Sequence, residues 1–145
     1  MLRDTGGSSW RNGIVVEQGG AVAGCLFGYR LPEVPEPIDA ALPAMFVPLQ
    51  ELENLAPGTW YVNILAVVPD LRGCGHGASL LQLAERLGEG RAMSVIVADA
   101  NQGARRLYER CGYRRRAARP MVKEGWANPS EHWVLLVTGN AGTAG

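Results

Sequence analysis

No apolar run in this chain approaches the ~20 residues that a membrane-spanning helix needs, and no targeting segment opens it. Its three cysteines, Cys25, Cys74 and Cys111, have no paired spacing and no secretory signal ahead of them. Free thiols in a reducing, cytoplasmic setting are therefore expected, and a disulfide framework is not. Cys74 and His76 stand two apart, but the third and fourth ligands of a metal site are missing, so no metal is expected. Internal repeats are missing too. Lysine and arginine are absent from Leu31 to Leu71, a stretch that holds six acids: Glu33, Glu36, Asp39, Glu51, Glu53 and Asp70.

What is present describes one domain. At 145 residues, 47% hydrophobic and 19% charged, the chain can bury an ordinary core without staples. Its formal net charge is zero, which argues against a dedicated nucleic-acid binder. Eight basic residues nevertheless stand against one acid, Glu109, between Asn101 and Lys123. That block reads either as a solvated helix face or as a surface that meets a phosphorylated small molecule.

The chain divides into recognisable elements. Residues 1–13 show no period and read as a loose leader. Residues 14–31 form two strand-like runs about Gly19-Gly20, a hairpin signal. Six prolines make residues 32–59 an irregular connection, with a short helix near 49–55. "WYVNILAVV" (60–68) is apolar enough to be a strand buried on both faces. Residues 79–87 carry the stripe Leu80, Leu81, Leu83, Ala84 and Leu87 of a helix packed on a sheet. A strand over 92–99, a helix over 101–113 stopped by Gly112, and C-terminal strands within 114–138 follow, the last at 132–138. The order implies a layered α/β domain.

The chemistry concentrates where the 60–68 strand ends. Gly73, Gly75 and Gly77 fall within five residues just before a helix, where each costs about 0.5–1 kcal/mol against alanine. A glycine-rich turn opening a helix offers unpaired N–H groups and the positive end of the helix dipole to an anion. The nucleotide P-loop is excluded, because no Lys-Ser/Thr pair follows. The dinucleotide fingerprint is out of register, which disfavours an oxidoreductase.

Arg72-x-x-Gly75-x-Gly77 after a V-x-P strand end resembles the acyl-CoA-binding motif of the GNAT acetyltransferase superfamily. "NQGARRLYERCGY" is similar to that family's second motif, with Asn101, Ala104, Tyr108, Gly112 and Tyr113 in place. The resemblance implies a mixed, splayed β-sheet flanked by helices, without the strand and two helices that usually precede the first hairpin. It implies that Leu65, Ala66 and Val67 pair with pantetheine by their backbone. Arg72, Gly73, Cys74, Gly75, His76, Gly77 and Ala78 would hold the pyrophosphate, Asn101 would anchor the pantetheine arm, and Tyr108 would be the general acid at the CoA sulfur. By residue type alone, Tyr108 also reads as a core aromatic and Asn101 as a helix N-cap.

The implied activity is transfer of an acetyl group from acetyl-CoA to a primary amine, on a small molecule or a peptide, with a homodimer as a possible assembly. A non-catalytic acyl-CoA-binding module is the alternative. Some relatives place a glutamate five positions before the motif asparagine; here that position is Ile96. Asn63 could position a water, and Glu51, Glu53, Glu124 and His132 are the candidate bases. The acidic 31–71 stretch, including the 32–59 connection that could wall the acceptor pocket, points to a cationic acceptor.

Overall fold

The structure, a computed structural model, describes residues 13–138 except Cys74 and the side chain of Asp70. The expected leader up to residue 12, and residues 139–145, lie outside the described residues. Six strands form one mixed sheet in the order β1-β2-β3-β4-β6-β5. They are β1 (Gly13–Gln18), β2 (Ala21–Arg30), β3 (Trp60–Val67), β4 (Met93–Ala98), β5 (Tyr113–Pro120) and β6 (His132–Thr138). Only β3 and β4 are parallel neighbours; the other pairs are antiparallel.

Three helices cover the sheet: α1 (Val47–Asn54), α2 (His76–Leu87) and α3 (Gln102–Arg110). Alternation along the strands divides the core in two, because successive side chains point to opposite faces. One face gathers Leu26, Trp60, Val62, Met93, Val95 and Val97 under Leu80, Leu81 and Ala84 of α2, with Tyr108 of α3. The other gathers Leu31, Tyr61, Leu135 and Val137 under Leu52 of α1 and Ala56. The expected helix near 49–55 begins at Val47, with Pro48 in its first turn, where its missing N–H costs nothing. The third helix ends at Arg110 instead of 113, so Tyr113 opens β5.

Gly28 lies at the register shift in the pairing of β2 with β3. A Cβ there would run into the Tyr61 carbonyl and the Trp60 ring. Gly103 in α3, by contrast, has nothing within 4 Å of where its Cβ would stand. Gly28→Ala should therefore cost about 1–3 kcal/mol or more through overpacking, while Gly103→Ala should gain about 0.4–1 kcal/mol by restricting the unfolded chain. Urea unfolding of the two variants checks this; equal effects would contradict the packing described.

Candidate functional site

The sheet parts in its middle. β3 and β4 pair only at Trp60↔Met93, Tyr61↔Ser94 and Val62↔Val95. Beyond that point β3 follows β2 out to Val67, and β4 follows β6 out to Ala98. The cause is local. Phe27 faces Ile64 while Gly28 faces Val62, so Asn63 is an extra residue in β3, a bulge that increases twist and turns the strand away. The burial expected on both faces of this strand holds only for Trp60, Tyr61 and Val62; Ile64 is 50% exposed. The correction has a physical reason: a strand leaving its neighbour loses the cover that the neighbour's face supplied. The inner edges of 63–67 and 96–98 are left without each other, and an unpaired strand edge can accept an extended ligand as a further strand.

The glycine turn follows directly. Gly73 and Gly75 have φ of +86° and +83°, left-handed conformations natural to glycine, and a Cβ on either would meet nothing within 4 Å. The approach to the backbone there is open. Gly75 is the N-cap of α2 with no side-chain cap bond, so the first-turn N–H groups have no capping side chain. The helix starts at His76 and not at residue 79, which places His76, Gly77 and Ala78 in its first turn. His76 Nε2 lies 2.7 Å from Gln18 Oε1, so its ring bridges to the end of β1. Gly77 has a second duty: a Cβ there would stand 2.8 Å from Leu107 Cδ2 of α3. Arg72 Nε donates to the Val67 carbonyl at 3.3 Å and ties the turn to β3. Cys74 lies outside the described residues. Open backbone, uncapped N–H groups and a helix N-terminus together fit a diphosphate.

On α3, Asn101 is the N-cap, its Oδ1 accepting from Ala104 N at 3.2 Å. Tyr108 is 5% exposed and packs edge-on against Tyr113, ring centroids 5.4 Å apart. Burial, with a smaller effect of Cys111, pushes its phenol up to about 12. The basic block lines an open cleft of about 500 Å³ bordered by Arg106, Glu109, Arg110 and Arg114.

The candidate bases separate by surroundings. Glu51 Oε1 stands 3.5 Å from Arg119 Nε. His132 Nδ1 stands 3.4 Å from Asp99, and Glu124 is exposed. Glu53 alone of the four is both half-buried and strongly shifted: burial, then the neighbouring Glu36, pushes its carboxyl up to about 7. Glu53 in turn adds to the rise that burial gives Tyr29, to about 12, and Tyr61. Those two rings meet edge-on at 5.7 Å. Nothing in sequence spacing could have separated Glu53 from Glu51, since both lie on one short helix. The acidity of the 31–71 stretch is also partly spent on structure, because Glu33 pairs with Arg30 and Arg91.

A family model for the Acetyltransferase (GNAT) family matches residues 3–113. The chain belongs to the GNAT acetyltransferase family. It is an acyltransferase of that family, and its fold has solved relatives. An N-acetyltransferase from Staphylococcus aureus superposes with a TM-score of 0.62 at 18% identity, over 91% of this chain and 72% of the other. Naa50 of Arabidopsis thaliana, in complex with the bisubstrate analogue CoA-Ac-MVNAL, gives 0.60 at 14% identity, over 89% and 73%. The ribosomal-protein-S18-alanine N-acetyltransferase of Escherichia coli gives 0.57 at 17%, over 92% and 70%. Among curated proteins, none matches the chain by sequence. Among the described residues of this GNAT chain, no group of three or more metal-ligating side chains occurs, and no helix is long and apolar enough to cross a membrane.

Asp99 clamps the far side of the GNAT wedge. At the end of β4 its carboxylate accepts from Glu131 N at 3.0 Å and His132 N at 3.1 Å. Desolvation, which would raise its pKa, is outweighed by these bonds and those from Ser130 and His132, and the group sits below its ordinary value. A lowered carboxyl adds stability above its unfolded value and loses it as pH falls through the folded one. Asp99→Asn should therefore lower the melting temperature at pH 7, with the deficit vanishing below the ordinary carboxylate range. Melting curves from pH 7 down to pH 2 test this; a deficit constant with pH would contradict it.

Proposed function

We propose that this GNAT enzyme transfers the acetyl group of acetyl-CoA to a primary amine by direct attack on the thioester. The observation that carries the reading is the parting of β3 from β4 immediately before the open glycine turn. The inner edge of Leu65, Ala66 and Val67 would pair with the amide groups of the pantetheine arm. The backbone N–H groups from Gly73 to Ala78 would hold the diphosphate, with Arg72 fixing the turn and Asn101 near the arm. Acetyl-CoA, when bound, supplies an activated acyl carbon with a thiolate leaving group. That a relative of this fold is in complex with a CoA-peptide analogue supports acetyl-CoA as the donor.

Tyr108 then has a definite task. Its phenol, pushed up to about 12, stays protonated at neutral pH and can donate to the departing sulfur. Backbone N–H groups at the parting stabilise developing charge on the carbonyl oxygen. The acceptor is a primary amine on a small molecule or a peptide.

Two measurements test the proposal. CoA at about 100 times its Kd should stabilise the fold by about 2.7 kcal/mol, and NAD should give no shift; a shift with NAD alone would overturn the assignment. Tyr108→Phe keeps the ring packing and removes the proton, so kcat should fall by about 10²–10⁴-fold with CoA affinity unchanged. Tyr113→Phe is the control, because the Tyr113 hydroxyl is buried without a hydrogen-bond partner among the described residues. An unchanged kcat in Tyr108→Phe would remove Tyr108 from the mechanism.

A further inference from the structure

The cations of the block between Asn101 and Lys123 have no part in the chemistry above. Seven of the eight are arginines. α3 turns Ala104, Leu107, Tyr108 and Cys111 into the core of the α2 face. Arg106, Glu109 and Arg110 therefore stand on its outward side, where all three are exposed. The chain reverses at Gly112 and enters β5, which brings the exposed Arg114 up beside them. These four side chains line the open cleft of about 500 Å³. Three arginines and one glutamate give it a net positive charge.

No acid of the chain answers that charge. Among the described residues, Arg105, Arg106, Arg110, Arg114 and Arg115 have no ion-pair partner. Arg106 and Arg110, four apart on one helix face, repel each other, and Glu109 between them pairs with neither. Arg114 is held in place: its Nη1 donates to the Glu109 carbonyl at 3.1 Å and to the Tyr113 carbonyl at 2.9 Å. Those bonds serve the C-terminal end of α3, where a cation is favourable. They leave Nε and Nη2 of Arg114 without a partner among the described residues. Arg106 and Arg110 reach no carbonyl at all there, so the helix end does not account for them.

We propose that this cleft docks a short acidic segment of a partner polypeptide, whose carboxylates pair with Arg106, Arg110 and Arg114. An arginine fork meets a carboxylate through two parallel N–H donors, which a lysine cannot do. The free basic surface is also short. Further along β5, Arg119 is matched by Glu51 at 3.5 Å, and Arg116 donates to the Leu55 carbonyl at 3.3 Å. α1 packs against β5 there and belongs to the stretch of six acids without a cation. A long polyanion such as a nucleic acid would run from the cleft onto a surface that repels it, whereas a few acidic residues fit within the cleft. The site is separate from the glycine turn: Gly77 faces Leu107 on the inward side of α3, and the cleft lies on the outward side.

The probe is fluorescein-labelled hexaglutamate, titrated with the whole protein and read by anisotropy. It should bind with a Kd that rises steeply with salt, because the screening length falls from about 10 Å at 0.1 M to about 3 Å at 1 M. Saturating CoA should leave that Kd unchanged. Arg106→Gln combined with Arg110→Gln should weaken binding about 2–30-fold, the loss of two exposed ion pairs, with an unchanged melting temperature. Arg110→Gln alone carries the same test if the double variant does not fold. Arg30→Gln combined with Arg91→Gln removes two charges beside Glu33 and should leave binding as it was. No binding, or binding indifferent to Arg106 and Arg110, overturns the proposal. CoA that displaces the peptide also overturns it and assigns the arginines to the cofactor. A short single-stranded oligonucleotide that binds more tightly through the same arginines assigns the cleft to nucleic acid. Self-association that depends on them assigns it to a second copy of the chain. Either of these outcomes overturns the proposal as well.

Discussion

Three residue pairs hold β3 to β4, and the site depends on their being so few. The bulge at Asn63 turns β3 outward while β6 keeps β4 on its course. A continuous sheet would satisfy every backbone group of both strands and leave nothing for a ligand to pair with. The parting therefore costs hydrogen bonds in the free protein and makes the same groups available to an extended partner. The clamp of Asp99 on the backbone of Glu131 and His132 keeps the β4 side fixed. Arg72 returns the glycine turn to Val67 and fixes the other side.

Burial acts on a side chain of α1 and on one of α3 with the same sign. It raises the Tyr108 phenol to about 12 and the Glu53 carboxyl to about 7. The phenol is protonated at neutral pH, as an unshifted one would be, and the carboxyl is brought to the range where it exchanges protons at neutral pH. The elements that create these environments come from different parts of the chain. α2 and α3 follow the parted strands, whereas α1 belongs to the proline-rich connection that precedes them. α1 is anchored by Leu52 and by the Glu51–Arg119 pair to β5, so this part of the connection is fixed to the sheet.

Much of this was legible in the sequence. The hairpin, the strand over 60–68, both later helices and the last strand all follow from apolar period and glycine position, because those signals are local. The glycine turn was legible for the same reason: left-handed conformations at Gly73 and Gly75 need glycine wherever the chain goes afterwards. Element ends were less so. The second helix starts three residues earlier than its apolar stripe, since its first turn, His76-Gly77-Ala78, carries no large apolar residue to mark it. Gly77 looked like part of an anion cradle, and the structure adds a contact with Leu107 that no local pattern contains.

The sequence alone determined the class of fold, the turn and the residue types at it, since these depend on backbone conformation and local pattern. Which of four candidate bases is buried, which face α1 covers and where β3 leaves β4 are properties of residues distant in the chain. Glu51 and Glu53 are two positions apart, yet one pairs with Arg119, while the other is half-buried with its carboxyl raised by burial and by the charge of Glu36. Only tertiary packing distinguishes them, because a carboxyl's affinity for its proton is set by the groups and the water left around it after folding.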